Sequence, residues 1–139
     1  GPSIGFTPGG QGNITAKQGL WRTEKNPQSI GSGVYAEGHV FLPDAANGTI
    51  RCLDPKTGKE VWREPTDGPN FWGSIVMAAE RLYVTNQEGE TVVFAPNPKK
   101  FELLARNDLG EATNATPAPS GKDLFLRTDK ALYCIAEAD

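Results

Sequence analysis

The chain is poor in the groups that most metal sites and acid–base catalysts use. Among 139 residues it has one histidine, His39, and two cysteines, Cys52 and Cys134. A single imidazole excludes a multi-histidine metal centre within one chain. No Ser/His/Asp set and no spaced pair of carboxylates marks acid–base work. Basic residues number 14 against 17 acidic ones and form no stripe, which excludes nucleic acid as a partner class. No apolar run approaches the roughly 20 residues of a membrane span. Helical apolar spacing is missing over any useful length. No charged-then-apolar leader begins at Gly1, which means little if the natural start has been cut away; Gly1-Pro2 also fits the remnant of a cleaved tag.

Turn chemistry is what the sequence has in quantity. Its 16 glycines and 11 prolines, with 37% apolar residues, fit one all-β domain. The stretch Arg51-Cys52-Leu53-Asp54-Pro55-Lys56-Thr57-Gly58-Lys59-Glu60-Val61-Trp62-Arg63 reads as a hairpin. In it the Asp54 carboxylate accepts backbone N–H bonds, Pro55 presets φ, and Gly58 supplies the position with φ > 0. A Trp just past the turn is large enough to cover a neighbouring sheet.

This unit repeats. Trp21 and Trp62 are 41 residues apart, as are Cys52, Val93 and Cys134. Val40-Phe41-Leu42, Leu82-Tyr83-Val84 and Leu124-Phe125-Leu126 recur every 42 residues, and Gly31/Gly73/Ala115 and Ser32/Ser74/Thr116 keep small residues in phase. The first complete period holds four short strands, at residues 33–36, 39–42, 49–53 and 60–63. Four strands in 40 to 45 residues make a β-propeller blade. The expected architecture is therefore an all-β propeller segment of about three four-stranded antiparallel blades. Residues 1–23 form a leading loop and outer strand, 24–65 blade one, 66–107 blade two, and 108–139 an incomplete blade three. Phe41, Tyr83, Phe125, Leu53, Phe94, Val84 and Leu124 are expected to be largely buried between blades, so that Phe125→Ala should cost about 3–5 kcal/mol.

The segment from Cys52 to Trp62, C-L-D-P-K-T-G-K-E-V-W, resembles the repeat A-x-D-x-x-T-G-x-x-x-W of the quinoprotein-type, or PQQ-like, β-propellers, with Cys52 in the Ala place. The phrases GFTPGGQGNIT, NPQSIGSG and LGEATNA also resemble C-terminal portions of large bacterial propellers of this kind. The resemblance runs over nearly the whole chain. It implies that Trp62 and Gly58 are blade-to-blade ties, that Trp21 is another, and that the chain is the tail of a longer, exported propeller, periplasmic or extracellular. Blade two departs from the pattern, having neither the Thr-Gly nor the Trp in V-F-A-P-N-P-K-K-F-E-L, so Phe101 and Leu103 are expected to replace the tie.

Export invites a disulfide. Cys52 and Cys134, however, hold equivalent strand positions two periods apart, in non-neighbouring blades, beyond the roughly 7 Å that a bridge spans between Cα atoms. Both read as free, small core residues. The glycine-rich residues 5–12 read as a surface loop, since no helix N-terminus follows to make a phosphate cradle, with Phe6 and Ile14 positioned to pin its ends. His39 shares its column with Arg81 and Asp123 and reads as solvent-exposed or channel-edge.

The connections before each innermost strand face the mouth of a propeller's channel, where ligands usually sit. Gln28, Asn70, Trp72 and Asn114 lie there and are the candidate ligand or partner surface; the competing reading is that the amides satisfy loop backbone and Trp72 packs between blades. The resemblance implies either a non-catalytic binding or scaffolding propeller or part of a PQQ-dependent dehydrogenase. The latter holds its quinone with Ca²⁺, and commonly with an adjacent-Cys ring and a stacking Trp. With no Cys-Cys pair and Trp72 alone for stacking, no cofactor is expected.

Three blades are too few to close a ring, which takes typically about four to eight. The strand at residues 19–23 and the open edge of blade three are expected to pair with another chain, either a further part of a propeller or a second copy, because bare edges aggregate.

Overall fold

The computed structural model of the protein describes residues 2–24 and 30–136. It contains, in chain order, β1 (Ile4–Phe6), the single-turn helix α1 (Thr15–Gln18), and strands β2 (Gly19–Arg22), β3 (Val34–Ala36), β4 (His39–Asp44), β5 (Thr49–Leu53), β6 (Glu60–Pro65), β7 (Val76–Ala78), β8 (Arg81–Thr85), β9 (Glu90–Phe94), β10 (Leu103–Asp108), β11 (Ala118–Ser120), β12 (Asp123–Arg127) and β13 (Leu132–Ile135). They form four antiparallel meanders: β1-β2, β3-β4-β5-β6, β7-β8-β9-β10 and β11-β12-β13. The fold is thus a partial β-propeller of two complete blades with incomplete sheets on either side.

The turns follow from residue chemistry. Asp54 accepts the Lys56 N–H at 2.8 Å and the Thr57 hydroxyl at 3.0 Å, and Gly58 takes φ +70° to let the chain return into β6. In blade two the loop is longer and lacks Thr-Gly, yet Asn97 accepts the Lys99 N–H at 2.9 Å and reproduces the same turn opening. At the opposite end of the blades, Asp44, Asn86 and Thr128, each 42 residues from the next, begin the tight turn after the second strand by accepting backbone N–H groups two residues on.

Successive blades meet closely near the axis, and the small-residue columns show why. The Ser32 N–H donates to Ser74 Oγ at 2.9 Å, and the Ser74 N–H donates to Thr116 Oγ1 at 2.9 Å. A Cβ on Gly73 would lie 2.6 Å from the Ala115 carbonyl oxygen, so a larger side chain there would push two blades apart.

Each blade has one face toward the blade before and one toward the blade after. Val34, Phe41, Ile50, Cys52 and Trp62 share the forward face of blade one, since Phe41 pairs with Val34 and Cys52, and Cys52 with Trp62. They pack against Leu82, Val84, Val92 and Phe94 of blade two, with Phe71 and Ile75 closing the inner end. The rings of Phe41, Trp62, Phe94 and Phe101 interlock with centroid spacings of 5.5–6.3 Å.

Several expectations need correction. Of the seven side chains expected to be buried, Phe41, Phe94 and Val84 are fully so, whereas Tyr83, Phe125, Leu53 and Leu124 are half-buried. Phe125 lies on the forward face of blade three, against which no described sheet packs, and Leu53 ends β5 at the break in register with β6. Cys52 is buried but Cys134, on the edge strand β13, is exposed; both are free. Residues 5–12 are not wholly loop, because Ile4–Phe6 pairs with Gly19–Arg22. Phe6 is exposed and pins nothing, while the Ile14 carbonyl accepts the N–H groups of Lys17 and Gln18 and starts α1.

The strand at residues 19–23 therefore has a partner within the chain rather than only in another one. Trp21 lies opposite Gly5 as Trp62 lies opposite Cys52, so β1 holds the third place and β2 the fourth place of a blade. Joining β13 to β2 would require β1 to give way. Among the described residues the two incomplete sheets end on β13, beside which a fourth strand would stand, and on β1, beside which a second would stand.

Candidate functional site

The strand connections sort onto two ends of the propeller. Those entering each innermost strand, residues 66–75 and 109–117, run beside the tight turns that follow each second strand. The Gln87 N–H donates to the Asn70 carbonyl at 3.1 Å, and one blade on the Asp129 N–H donates to the Ala112 carbonyl at 2.9 Å. This end carries the candidate mouth surface.

Gln87 ties it together. Its side-chain Nε2 donates to Asn114 Oδ1 at 2.9 Å, and its carbonyl accepts the Thr113 N–H at 3.1 Å. Asn70 and Asn114, expected at the site, are thus joined through a residue that sequence reasoning passed over. The 42-residue column Ala45/Gln87/Asp129 could have pointed to it. Trp72 is 43% exposed and stands on the same connection as Asn70, beside the fully buried Phe71. Phe71 anchors the loop in the core while Trp72 presents its ring to solvent. Gln28 lies outside the described residues.

Beside Asn70 on this end is an acidic basin of about 530 Å³ lined by Asp67, Asn86, Glu88, Glu90 and Asp108. Arg106 is 3.0 Å from Glu90 and offsets part of its charge. Among the described residues no group of three His, Cys, Asp or Glu side chains could hold a metal ion. The next connection carries Glu111, whose carboxyl is held below the usual carboxylate range by the Thr128 hydroxyl at 2.6 Å and then by Tyr133; the same contact holds the Tyr133 phenol above its ordinary value. His39, at the opposite end, has its Nδ1 3.0 Å from the Glu37 carbonyl.

The blade ties lie at that opposite end. Trp21 Nε1 donates to the Pro55 carbonyl at 2.7 Å, and its ring covers Gly58, where an added Cβ would sit 2.5 Å from the indole carbons. Trp62 Nε1 donates to the Asn97 carbonyl at 3.1 Å and packs edge-on to Phe101 at 5.9 Å. Phe101 thus fills in where Thr-Gly is missing, but Leu103, expected to help, is 46% exposed.

The next interface is built differently. Val93 pairs with Ala105 where Cys52 pairs with Trp62, so Ala105 holds the tryptophan's place. Thr91, opposite Asn107, stands where Ile50 stands opposite Glu64, and its hydroxyl is bonded to that of Thr85 at 2.8 Å. Between blades two and three lies a cleft of about 750 Å³, walled by Tyr83 and Val93 on one side and Leu124, Ile135 and Ala136 on the other.

Repeated four-stranded sheets tied by tryptophan to the next blade's turn define a propeller-repeat protein, here spanning part of a ring. The family described as outer membrane protein assembly factor BamB matches residues 10–97 and again residues 46–139, and the chain belongs to this PQQ-like propeller family. The solved structure of BamB from Moraxella catarrhalis superposes with a TM-score of 0.68 at 11% identity, covering 98% of this chain and 39% of that one. A europium-containing methanol dehydrogenase is similar over 67% of this chain and 20% of its own, with a TM-score of 0.48 and 18% identity. The chain therefore spans about two fifths of the BamB structure's length. A search of curated proteins gives no match. Among the described residues no helix is long and apolar enough to cross a membrane.

Proposed function

We propose that this chain is a non-catalytic binding or scaffolding segment of a PQQ-like propeller, exported to the periplasm or cell exterior, that recognises a polypeptide partner at the channel mouth. The observation that carries this reading is the braced surface there: Gln87 ties the Asn70 and Asn114 loops, while Trp72 stands exposed over buried Phe71. Amides held by neighbours and an exposed Trp on an anchored loop are suited to recognition, because little side-chain freedom is lost on binding. The family's description as an outer membrane protein assembly factor agrees with such a role. The bare edges of β13 and β1 are filled by a further propeller segment or a second copy, since exposed strand edges recruit other strands.

This reading is favoured over part of a quinone–Ca²⁺ enzyme because, among the described residues, the two cysteines are not adjacent and no group of three acidic, His or Cys side chains could bind a metal. A photo-crosslinking phenylalanine analogue at position 72, introduced in the cell that makes the protein, should give a discrete adduct. The same analogue at Glu37, at the opposite end, should give none. Equal adducts at both positions, or co-purification of the quinone after incubation with PQQ and Ca²⁺, would contradict the proposal.

A further inference from the structure

The cleft between blades two and three occupies the position that Trp62 fills one interface earlier. Around Trp62, Phe41 supplies one wall, Cys52 the strand opposite, and Phe94 and the turn after β9 the far side. One blade on, the corresponding residues are Tyr83, Val93, Ile135 and Ala136, and all four line the cleft. On the blade-two wall Ala105 carries a methyl group where its counterpart carries an indole. Nothing in blade two swings in to replace it: Leu103 and Leu104 on the same strand are 46% and 47% exposed. At about 750 Å³ the cleft is within the roughly 300–1,000 Å³ range of ligand sites and has room for an aromatic ring with its flanking backbone. Its rim carries Arg81, Lys122, Asp123 and Asn107 around an apolar floor, the arrangement of an anchor pocket with polar orienting groups.

We propose that this cleft is a receptor for an aromatic side chain, an indole above all, presented by a partner polypeptide. The occupant takes in trans the place that the protein's own Trp62 takes in cis at the preceding interface. The cleft runs along the seam from the Ala79 and Gly121–Lys122 turns, at the end away from Asn70 and Trp72, to Thr91, Asn107 and Leu109, and it shares none of Asn70, Trp72, Gln87 and Asn114 with the mouth surface. It stands whether or not that surface binds anything.

The test uses the whole chain and N-acetyltryptophanamide as probe, followed by amide chemical shifts. Saturable shifts are expected at Tyr83, Val93 and Leu124, with N-acetylleucinamide giving much weaker ones. Ala105→Trp should fill the cleft from within, weaken probe binding by about tenfold or more, and raise the thermal midpoint. Should that variant misfold, Leu109→Arg, which sets a charge at the cleft's edge outside any strand, should weaken the probe similarly. Absence of saturable shifts, undiminished binding in the variant that folds, or equal binding of the leucine amide overturns the proposal. Tighter binding of free indole than of the acetylated amide overturns the polypeptide source.

Discussion

The interface between blades one and two and the interface between blades two and three are built from the same strand positions and reach different ends. In the first, Phe41, Ile50 and Trp62 face blade two and form a dry aromatic seam with Phe94 and Phe101. In the second, the corresponding positions are Tyr83, Thr91 and Ala105, and a cleft is left. The inner ends hardly differ, since the Ser32 N–H donates to the Ser74 hydroxyl and the Ser74 N–H to the Thr116 hydroxyl, each at 2.9 Å. The repeat thus fixes how blades sit around the axis, while a few outer side chains decide whether a seam is sealed or open.

The largest expected effect comes from the sealed seam. Phe41→Ala removes a fully buried ring touching Trp62 and Phe94 and should cost about 3–5 kcal/mol in urea unfolding. Phe125→Ala, at the equivalent place on blade three, should cost clearly less because the ring is only half-buried. Equal losses would erase the distinction between the blades.

Trp62→Ala should cost on the order of 3 kcal/mol, through the lost indole and the unsatisfied Asn97 carbonyl. Trp62→Phe should recover part of it, keeping the contact with Phe101 but not the hydrogen bond. If the two variants are equally unstable, packing is not what seals the seam.

The cysteines report on the same contrast. Burial pushes the Cys52 thiol up to about 11, while Cys134 is exposed on β13. At neutral pH a thiol reagent should modify Cys134 quickly and Cys52 only as the protein unfolds, because the thiolate is the reactive form. Two equally fast thiols would mean that the seam over Cys52 opens freely.

The smallest effect concerns the turn beneath Trp21. The Lys56 N–H, and then the Thr57 hydroxyl, hold the Asp54 carboxyl below its ordinary value. A depressed carboxylate stabilises the fold above its unfolded pKa, and that contribution is lost as pH falls through the folded one. Trp21 emission should therefore shift in acid, below the usual carboxylate range, and Asp54→Asn should remove that step. A shift that persists in Asp54→Asn would place its origin elsewhere.

The repeat, its turn chemistry and its small-residue columns were legible in the sequence because each rests on local rules: Asp54 and Gly58 shape a turn, and Ser32 and Ser74 recur where blades touch. Strand β1 was not, since a three-residue strand with glycine at its centre, inside a glycine-rich stretch, carries no alternation to read. Burial was misjudged at Tyr83, Phe125 and Leu124 because the period gives a residue's place in its blade but not what stands across from it. At the candidate mouth site Asn70, Trp72 and Asn114 could be placed from the column, whereas the Gln87 bridge depends on two loops converging in space.

Native-state hydrogen exchange measured amide by amide tests the central contrast most directly. Strands β5, β8 and β9, which flank the sealed seam, should exchange only through global unfolding, while β12 and β13, beyond the cleft, should open locally at lower free energy. Uniform protection across β5, β9 and β12 would contradict it.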